Sequence, residues 1–463
     1  MSALENNKKS INFVTGKFER FSYGLYFLGQ LIFYGIITGF LQLYLTDYGI
    51  PAALVGGIFA VAKVWDAVND PIFGVLVDKI NLKRGKYIPW VRISTFLIPL
   101  TTVFIFAMPM NVSVQIKAIW AAVGYMLWDT SYTICDVPIF ALATAMTDNI
   151  KERDWLFMTK GFVTSFGALV ALVAIPLLYP NIGWTAAVII MSVIAMSTML
   201  PVGFVAKERH IVKGEQEPTL GALIKYLFKN KYLLIFYGAI LISALTNTSL
   251  AVSNYVAIYC FGSAELISVF YLVISLPMMV SILVLQQLIK KIDKLTVYLV
   301  CTALGLVFSV VIYLVGYHNI TSYLILIAIR ALFTSGALVL YPMFTADCAE
   351  YGQFITGDRA QGVAFSVQTF TSKMIAALSA SIGMFVLGMV GFVSGEGAVQ
   401  SPETIDWIWR LNTIAPVFSG VIALFIILFA YKLKTKDVVL MVEANEGKIS
   451  RQEAIAGFSR EYV

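Results

Sequence analysis

Long runs of apolar residues, separated by short polar segments, dominate this chain and limit the folds open to it. A helix needs about 20 mostly apolar residues to cross a lipid bilayer, and every run exceeds that length. Only 13% of the residues are charged, roughly half the share of an ordinary soluble domain. The sequence therefore predicts an all-α membrane protein with twelve transmembrane helices. The apolar runs cover residues 21–46, 52–77, 88–109, 114–146, 158–180, 184–206, 232–260, 265–289, 295–316, 320–346, 361–393 and 405–431.

Basic residues are distributed unevenly among the segments that join the runs. They occur in the N-terminal stretch, in the even-numbered connections and after residue 431, whereas the odd-numbered connections have none. Lys and Arg favour the cytoplasmic side of a membrane. We therefore expect a multi-pass protein of the inner or plasma membrane with both termini in the cytoplasm, and the alternation also supports an even number of helices.

The longest polar interruption divides the runs into two sets of six. It predicts an N-terminal six-helix bundle at 1–206, a cytoplasmic middle loop at 207–230, a C-terminal six-helix bundle at 231–432 and a cytoplasmic tail at 433–463. Polar residues of the fourth run and its following segment are weakly echoed in the tenth. Two six-helix halves around a site at the membrane midplane are typical of secondary transporters.

Charged residues inside the second run need an explanation, because a charge at the bilayer centre costs roughly 2.5 kcal/mol or more. Lys63, Asp66 and Asp70 recur at helical spacing and so share one face. Two carboxylates one turn apart, with the amide oxygen of Asn69, offer hard oxygen ligands for a metal cation such as Na+, or a site for a proton. We interpret Asp66, Asn69 and Asp70 as a candidate cation site, with the two carboxylates as metal ligands. The alternative is a structural ion-pair network with Lys63.

The fourth run carries acidic, hydroxyl and aromatic side chains along one helical face. Asp129 and Asp136 are seven residues apart, Thr133 lies between them, and Phe140 continues the stripe. Carboxylates accept hydroxyl protons of a sugar, and an aromatic ring covers its apolar C–H face. The run therefore predicts a sugar site, although helix packing would explain Phe140 alone and Asp129 could lie solvated or paired near the outer mouth. Further candidates for substrate binding are Gln30, Tyr132 and Thr369.

Other charged residues are candidates for coupling and gating. Lys373, inside the eleventh run, is the expected counter-ion of the acids in the second and fourth runs, with Lys63 as a second coupling residue. Arg330 of the tenth run is expected near a helix end, with its charge at the membrane surface. Charged residues of the connections could hold one gate state, or the basic ones could only fix the orientation in the membrane. The candidate gating residues are Asp78, Arg84, Lys86 and Arg153.

Several classes of function lack the residues that they require. The only histidines, His210 and His318, lie in predicted loops, and the four cysteines are scattered. The sequence has no phosphate-binding glycine loop such as GxxxxGK[ST]. These observations argue against an enzyme, a resident cofactor, ATP-driven transport and a nucleic-acid partner. The expected partners are a small-molecule substrate, a coupling cation and the lipid bilayer.

Several segments between about residues 20 and 375 resemble a known family. Residues 63–71 and 84–90 closely resemble the helix 2 signature of the glycoside–pentoside–hexuronide:cation symporters, the family of melibiose permease, and residues 132–138 and 366–373 match further motifs. The resemblance implies a major facilitator fold and a symporter that imports a sugar with Na+ or H+. A major facilitator carrier or exporter of a non-sugar solute is the alternative.

The resemblance also implies roles for individual residues. Asp136 would contact both the sugar and the cation region, Lys373 would support the coupling network, and Phe140 would take the place of an aromatic sugar-site residue. The implied cation site consists of Asp66, Asn69, Asp70 and Thr133.

Two positions depart from the pattern of the galactoside-type members. Leu31 stands where those members have an acid in helix 1, and Gly161, next to Lys160, stands where they have an arginine in helix 5. Half of the charged residues expected to hold the sugar are therefore missing. The departures count against a galactoside and leave a pentoside, another glycoside or an anionic uronide.

Overall fold

The structure, a computed structural model, describes residues 13–80, 85–210, 220–357 and 361–462. These residues form helices and no strand, which confirms the predicted all-α class. Close contacts group the chain into two units. Unit 1 consists of Met1–Ile50 with Val64–Glu217, and unit 2 consists of Pro51–Lys63 with Pro218–Val463.

Close packing of the first helix against its neighbours organises unit 1. A Cβ atom on Gly167 would lie 2.6 Å from the Cβ atom of Leu31, so the absence of a side chain at Gly167 lets the first and fifth helices approach closely. Leu31, which replaces the acid of galactoside-type members, thus contacts a helix backbone. The helices of unit 1 are α1 (Lys17–Asp47), α2 (Ala52–Lys79, shared with unit 2), α3 (Ile88–Phe106), α4 (Val114–Met146), α5 (Ile150–Ile182) and α6 (Trp184–Val205).

Unit 2 begins its own helices inside the stretch predicted as the middle loop. Leu220, Leu223, Ile224 and Leu227 recur at the spacing of an amphipathic helix, which explains why residues 220–229 are helical. The helices of unit 2 are α7 (Leu220–Lys229), α8 (Lys231–Ala244), α9 (Ser249–Tyr255, followed by a π-helical turn at Val256–Cys260), α10 (Leu266–Leu288), α11 (Lys294–Val315), α12 (Ile320–Val339), α13 (Tyr341–Thr356), α14 (Gln361–Met389), α15 (Pro402–Asn412), α16 (Ala415–Ala430), α17 (Thr435–Asn445) and α18 (Arg451–Gly457).

The described helices include eight spans that are long and apolar enough to cross a membrane. Two shorter apolar helical stretches, Phe166–Ile182 and Leu266–Ser281, overlap further predicted runs. The chain is therefore an integral membrane protein. The count of twelve transmembrane helices stays a prediction.

Two of the apolar spans in unit 2 are interrupted at positions that meet each other. One break separates α8 from α9, and the other separates α15 from α16. Thr248 Oγ1 donates to the carbonyl oxygen of Leu411 at 2.7 Å, and Ser249 Oγ donates to that of Asn412 at 2.6 Å. Side chains of one break thereby satisfy backbone groups of the other, as irregular backbone at membrane depth requires.

Arg330 supports the same interruption. Its Nη1 atom donates to the carbonyl oxygen of Asn412 at 3.1 Å, and Tyr323 Oη donates to Asn412 Oδ1 at 3.2 Å. Arg330 lies ten residues into the apolar span Ile320–Thr356. The expectation of a surface position near a helix end is therefore wrong, because the helix break supplies an interior acceptor for the guanidinium.

The segment after the last apolar span folds back on unit 2. The ring of Phe458 lies 5.5 Å from that of Phe354, and the ring of Tyr462 lies 6.0 Å from that of Tyr232. Asp437 of α17 is fully buried beneath this segment. The tail is thus an integral part of unit 2.

Candidate substrate and cation site

Helices α2 and α4 bring part of the predicted cation site together in unit 1. Asn69 Nδ2 donates to Thr133 Oγ1 at 3.0 Å, and Thr133 Oγ1 donates to the carbonyl oxygen of Asp129 at 3.1 Å. Asp66 and Asn69 are only 5% and 4% exposed. The bond to Thr133 uses the amide nitrogen of Asn69, and so leaves its amide oxygen as the atom that could contact a cation. Asp129 is 7% exposed, which excludes the solvated alternative, while its role in binding stays a prediction.

Three predicted site residues cannot be placed by their side chains. Asp70 and Asp78 belong to α2, but their side chains lie outside the described set, and Arg84 lies outside the described residues altogether. Their roles in cation binding and gating stay predictions. Among the described residues, no group of three or more His, Cys, Asp and Glu side chains could hold a metal ion.

The predicted sugar site is built around a contact between α1 and α4. Gln30 Nε2 donates to Asp136 Oδ1 at 2.8 Å. Gln30 is almost fully buried, and its Oε1 atom has no hydrogen-bond donor within the described part of the chain. Asp136 lies ten residues before the end of α4 at Met146, or roughly 15 Å along the axis. The position of the site near the membrane midplane stays a prediction.

Phe140 stands beside this contact with a cation on its face. The Nζ atom of Lys160, on α5, lies 3.6 Å from the centroid of the Phe140 ring and 5.1 Å from that of Phe27. The two rings are 5.7 Å apart. Phe140 is 39% exposed, so packing does not cover it completely and part of the ring is open to a ligand.

Tyr132 continues the aromatic surface further along α4. Its ring stacks on that of Trp128 at 5.0 Å and lies 5.8 Å from that of Tyr34 on α1. Trp65 of α2 donates through Nε1 to Thr130 Oγ1 at 3.0 Å. Helices α1, α2 and α4 thus present aromatic and polar groups to one another in unit 1.

The predicted residues of α14 belong to unit 2. The Thr369 side chain is exposed and donates to the carbonyl oxygen of Phe365 at 3.2 Å. Lys373 is half-buried, as is Lys63 in the segment of α2 that belongs to unit 2. The interaction of Lys373 with the acids of α2 and α4 stays a prediction.

Carboxylates at the helix ends of unit 1 organise the region of the predicted gating residues. Both carboxylate oxygens of Glu208 accept backbone N–H groups that lead into α3, from Lys86 at 2.7 Å, Tyr87 at 2.8 Å and Ile88 at 2.7 Å. A carboxylate there satisfies unpaired N–H groups and the positive end of the helix dipole. Lys86 is therefore held through its backbone, and its ammonium lies 5.4 Å above the Tyr87 ring.

Glu152 has a similar role at the start of α5. It accepts hydrogen bonds from the backbone of Val14 at 3.1 Å, from the backbone and hydroxyl of Thr15, and from Thr147 Oγ1 at 2.8 Å. Burial alone would raise the pKa of Glu152, but these hydrogen bonds outweigh it and hold the pKa below its ordinary value. The neighbouring Arg153 is half-buried, and its gating role stays a prediction. No local sequence pattern indicated the contacts of Glu208 with the start of α3 or of Glu152 with Val14 and Thr15, because these partners lie more than a hundred residues away.

A carboxylate, a carboxamide and an ammonium group that meet among the helices of an integral membrane protein are typical of one class of protein, the secondary membrane transporter. Residues 22–435 match the family described as MFS/sugar transport protein, and the chain belongs to that family. This finding confirms the resemblance seen in the sequence, the major facilitator fold and the expectation that the protein is a transporter and not an enzyme.

Known proteins similar to this chain include sugar carriers. A glucuronide carrier protein homolog of Escherichia coli (strain K12) is 28% identical over 434 residues, which cover 89% of this chain and 92% of that protein. A putative glycoside/cation symporter of the same strain is 26% identical over 411 residues, which cover 86% and 88%. A crystal structure of the nucleoside transporter NupG has a similar fold, with a TM-score of 0.63 and 15% sequence identity. The match covers 90% of this chain and 100% of that chain.

Proposed function

We propose that this protein imports a glycoside together with Na+ or H+ by alternating access. One observation carries the proposal: a single helix, α4, holds a candidate ligand of each substrate. Thr133 of α4 binds Asn69 of the cation site, while Asp136, three residues later, binds Gln30 of the sugar site. Because the two sites share a rigid element, a cation that orders one end of this segment favours sugar binding at the other.

The similar proteins support this proposal. One is named as a carrier of glucuronides and the other as a symporter of glycosides and cations. In our proposal Lys373 and Lys63 balance the acids of the cation site, since a buried charge needs a partner. The basic residues of the even-numbered connections support a location in the inner or plasma membrane with both termini in the cytoplasm.

Equilibrium binding to the purified protein tests the proposal. Affinities for a panel of nitrophenyl glycosides and glucuronides are measured with and without Na+ and across pH. The wild type should bind at least one member more tightly when Na+ is present or the pH is lowered. Asp66→Asn should keep sugar binding and lose this cation dependence, whereas Asp136→Asn should lose sugar binding.

Asp406→Asn is the matched control, since Asp406 forms an exposed ion pair with Arg410 on α15. It should behave as the wild type. Cation-dependent sugar binding that survives unchanged in Asp66→Asn would remove Asp66 from the cation site. Failure of the wild type to bind any member of the panel would contradict the proposed sugar transport itself.

A further inference from the structure

Lys160 lies among the sugar-site residues of unit 1, over the ring of Phe140 and near Asp136. It is ten residues from the start of α5 at Ile150, or roughly 15 Å along the helix. Asp136 is likewise ten residues from the end of α4 at Met146. The ammonium sits 3.6 Å above the centroid of the Phe140 ring, which lies one helical turn beyond Asp136.

Among the residues that the structure describes, none accepts a hydrogen bond from Lys160. An ammonium group has three donors and no acceptor. In the part of the chain that the structure describes, its contacts are the faces of Phe140 and Phe27, with no hydrogen bond and no ion pair. An aromatic face attracts a cation but accepts no conventional hydrogen bond. A half-buried ammonium among the helices of a membrane protein is costly, and a bound anion would both balance its charge and satisfy its donors.

Asp136 does not fill this role. Asp136 and Lys160 interact electrostatically, yet the hydrogen bond to Asp136 Oδ1 comes from the neutral amide of Gln30. The site thus combines an acidic group that a carboxamide orients with a basic group that remains available. A neutral sugar offers the ammonium no charged acceptor of its own. An anionic sugar in a site without Lys160 would meet only the repulsion of Asp136.

We propose that Lys160 selects a glycoside that carries one negative charge, a carboxylate or a sulfonate, and binds that group through its ammonium. Asp136 and Gln30 then bind sugar hydroxyls, and the open part of Phe140 covers the C–H face. This inference rests on the proposed sugar transport and adds the substrate class and the residue that determines it.

Paired ligands that share one aglycone test the inference. Nitrophenyl glucosides are compared with the corresponding nitrophenyl glucuronides and 6-sulfonates, in both anomers, by equilibrium binding to the purified protein. The wild type should prefer an anionic member of a pair. A hydrogen bond to a charged group contributes enough to change affinity about 10- to 100-fold, so Lys160→Gln should reduce the ratio of anionic to neutral affinity by that factor. Lys160→Arg should retain most of the preference.

The control is Lys117→Gln, which removes the same charge from α4 where Lys117 Nζ donates to the carbonyl oxygen of Tyr48 at 2.8 Å. It should leave the ratio unchanged, and melting temperatures confirm that each variant is folded. A wild type that binds neutral glucosides as well as the charged members, or a ratio that Lys160→Gln does not alter, would overturn the inference and leave sugar transport standing. Binding of no glycoside at all would overturn both.

Discussion

Asp437 ties the end of the chain to unit 2, and we expect Asp437→Asn to release it. The buried carboxylate accepts hydrogen bonds from the backbone of Ser459 at 2.9 Å, from Ser459 Oγ at 2.6 Å and from Tyr462 Oη at 2.6 Å. Burial alone would raise the pKa of Asp437, but these bonds lower it below its ordinary value. Asparagine keeps the shape, removes the charge and turns one acceptor oxygen into a donor that opposes Ser459 or Tyr462.

The size of the effect follows from the three charge-assisted bonds. A hydrogen bond to a charged group contributes about 1.5–3 kcal/mol, and bonds that share one acceptor group do not add independently. We expect the substitution to weaken the docking of the tail on unit 2 by about 3 kcal/mol, which raises the population of the open form roughly 100-fold. Hydrogen–deuterium exchange of peptides within 435–462 measures that population directly. Exchange there should accelerate by about two orders of magnitude, while α8 and α16 stay protected.

Acid should open the same contact in the wild type, but only at low pH. The stabilisation from a carboxylate with a lowered native pKa is complete above the ordinary value of about 3.9 and is lost as the pH falls through the native pKa. Exchange of the tail, corrected for its intrinsic rate, should thus stay constant from neutral pH down to about pH 4. Exchange rates in Asp437→Asn equal to those of the wild type would refute this account of the tail. Asp406→Asn is the control and should leave exchange of the tail unchanged, because an exposed ion pair contributes only about 0–1 kcal/mol.

Two further substitutions test the packing and the helix ends of unit 1. Gly167→Ala should destabilise the protein by about 1–3 kcal/mol, because the new Cβ atom would lie 2.6 Å from that of Leu31; Gly238→Ala, where a Cβ atom meets nothing within 4 Å, should not lower the melting temperature. Glu152→Gln should destabilise the contact of α5 with the stretch around Thr15 by about 2 kcal/mol and make that stretch more sensitive to proteolysis. Resistance to proteolysis equal to that of the wild type would show that the charge of Glu152 is dispensable.

The sequence was sufficient for the class of protein and for the candidate residues of the site. Apolar runs of this length have few alternatives to membrane helices, because unpaired backbone groups cannot be left in lipid. Acids at helical spacing were equally informative: Asp66 is buried in unit 1 and Asp136 is half-buried there. The sequence could not show that Gln30 is the side chain that holds Asp136, because that contact depends on the packing of α1 against α4.

Features that depend on long-range contacts escaped prediction. The run at 232–260 was predicted as one helix, yet the helix breaks before Ser249, where the hydroxyls of Thr248 and Ser249 donate to the carbonyl oxygens of Leu411 and Asn412. Lys160 illustrates the same limit at the site. Its sequence neighbours place it on α5, but only the fold shows that its charge lies over Phe140.

Gradient-driven accumulation in proteoliposomes tests the central claim of cation-coupled sugar import most directly. Vesicles containing the purified protein receive a labelled glycoside or glucuronide outside, with an inward Na+ or proton gradient and no ATP. The account predicts that the labelled sugar accumulates above its external concentration and that this accumulation collapses when an ionophore dissipates the gradient. Vesicles with Asp66→Asn should show no accumulation. Accumulation that persists undiminished without any cation gradient would contradict the account.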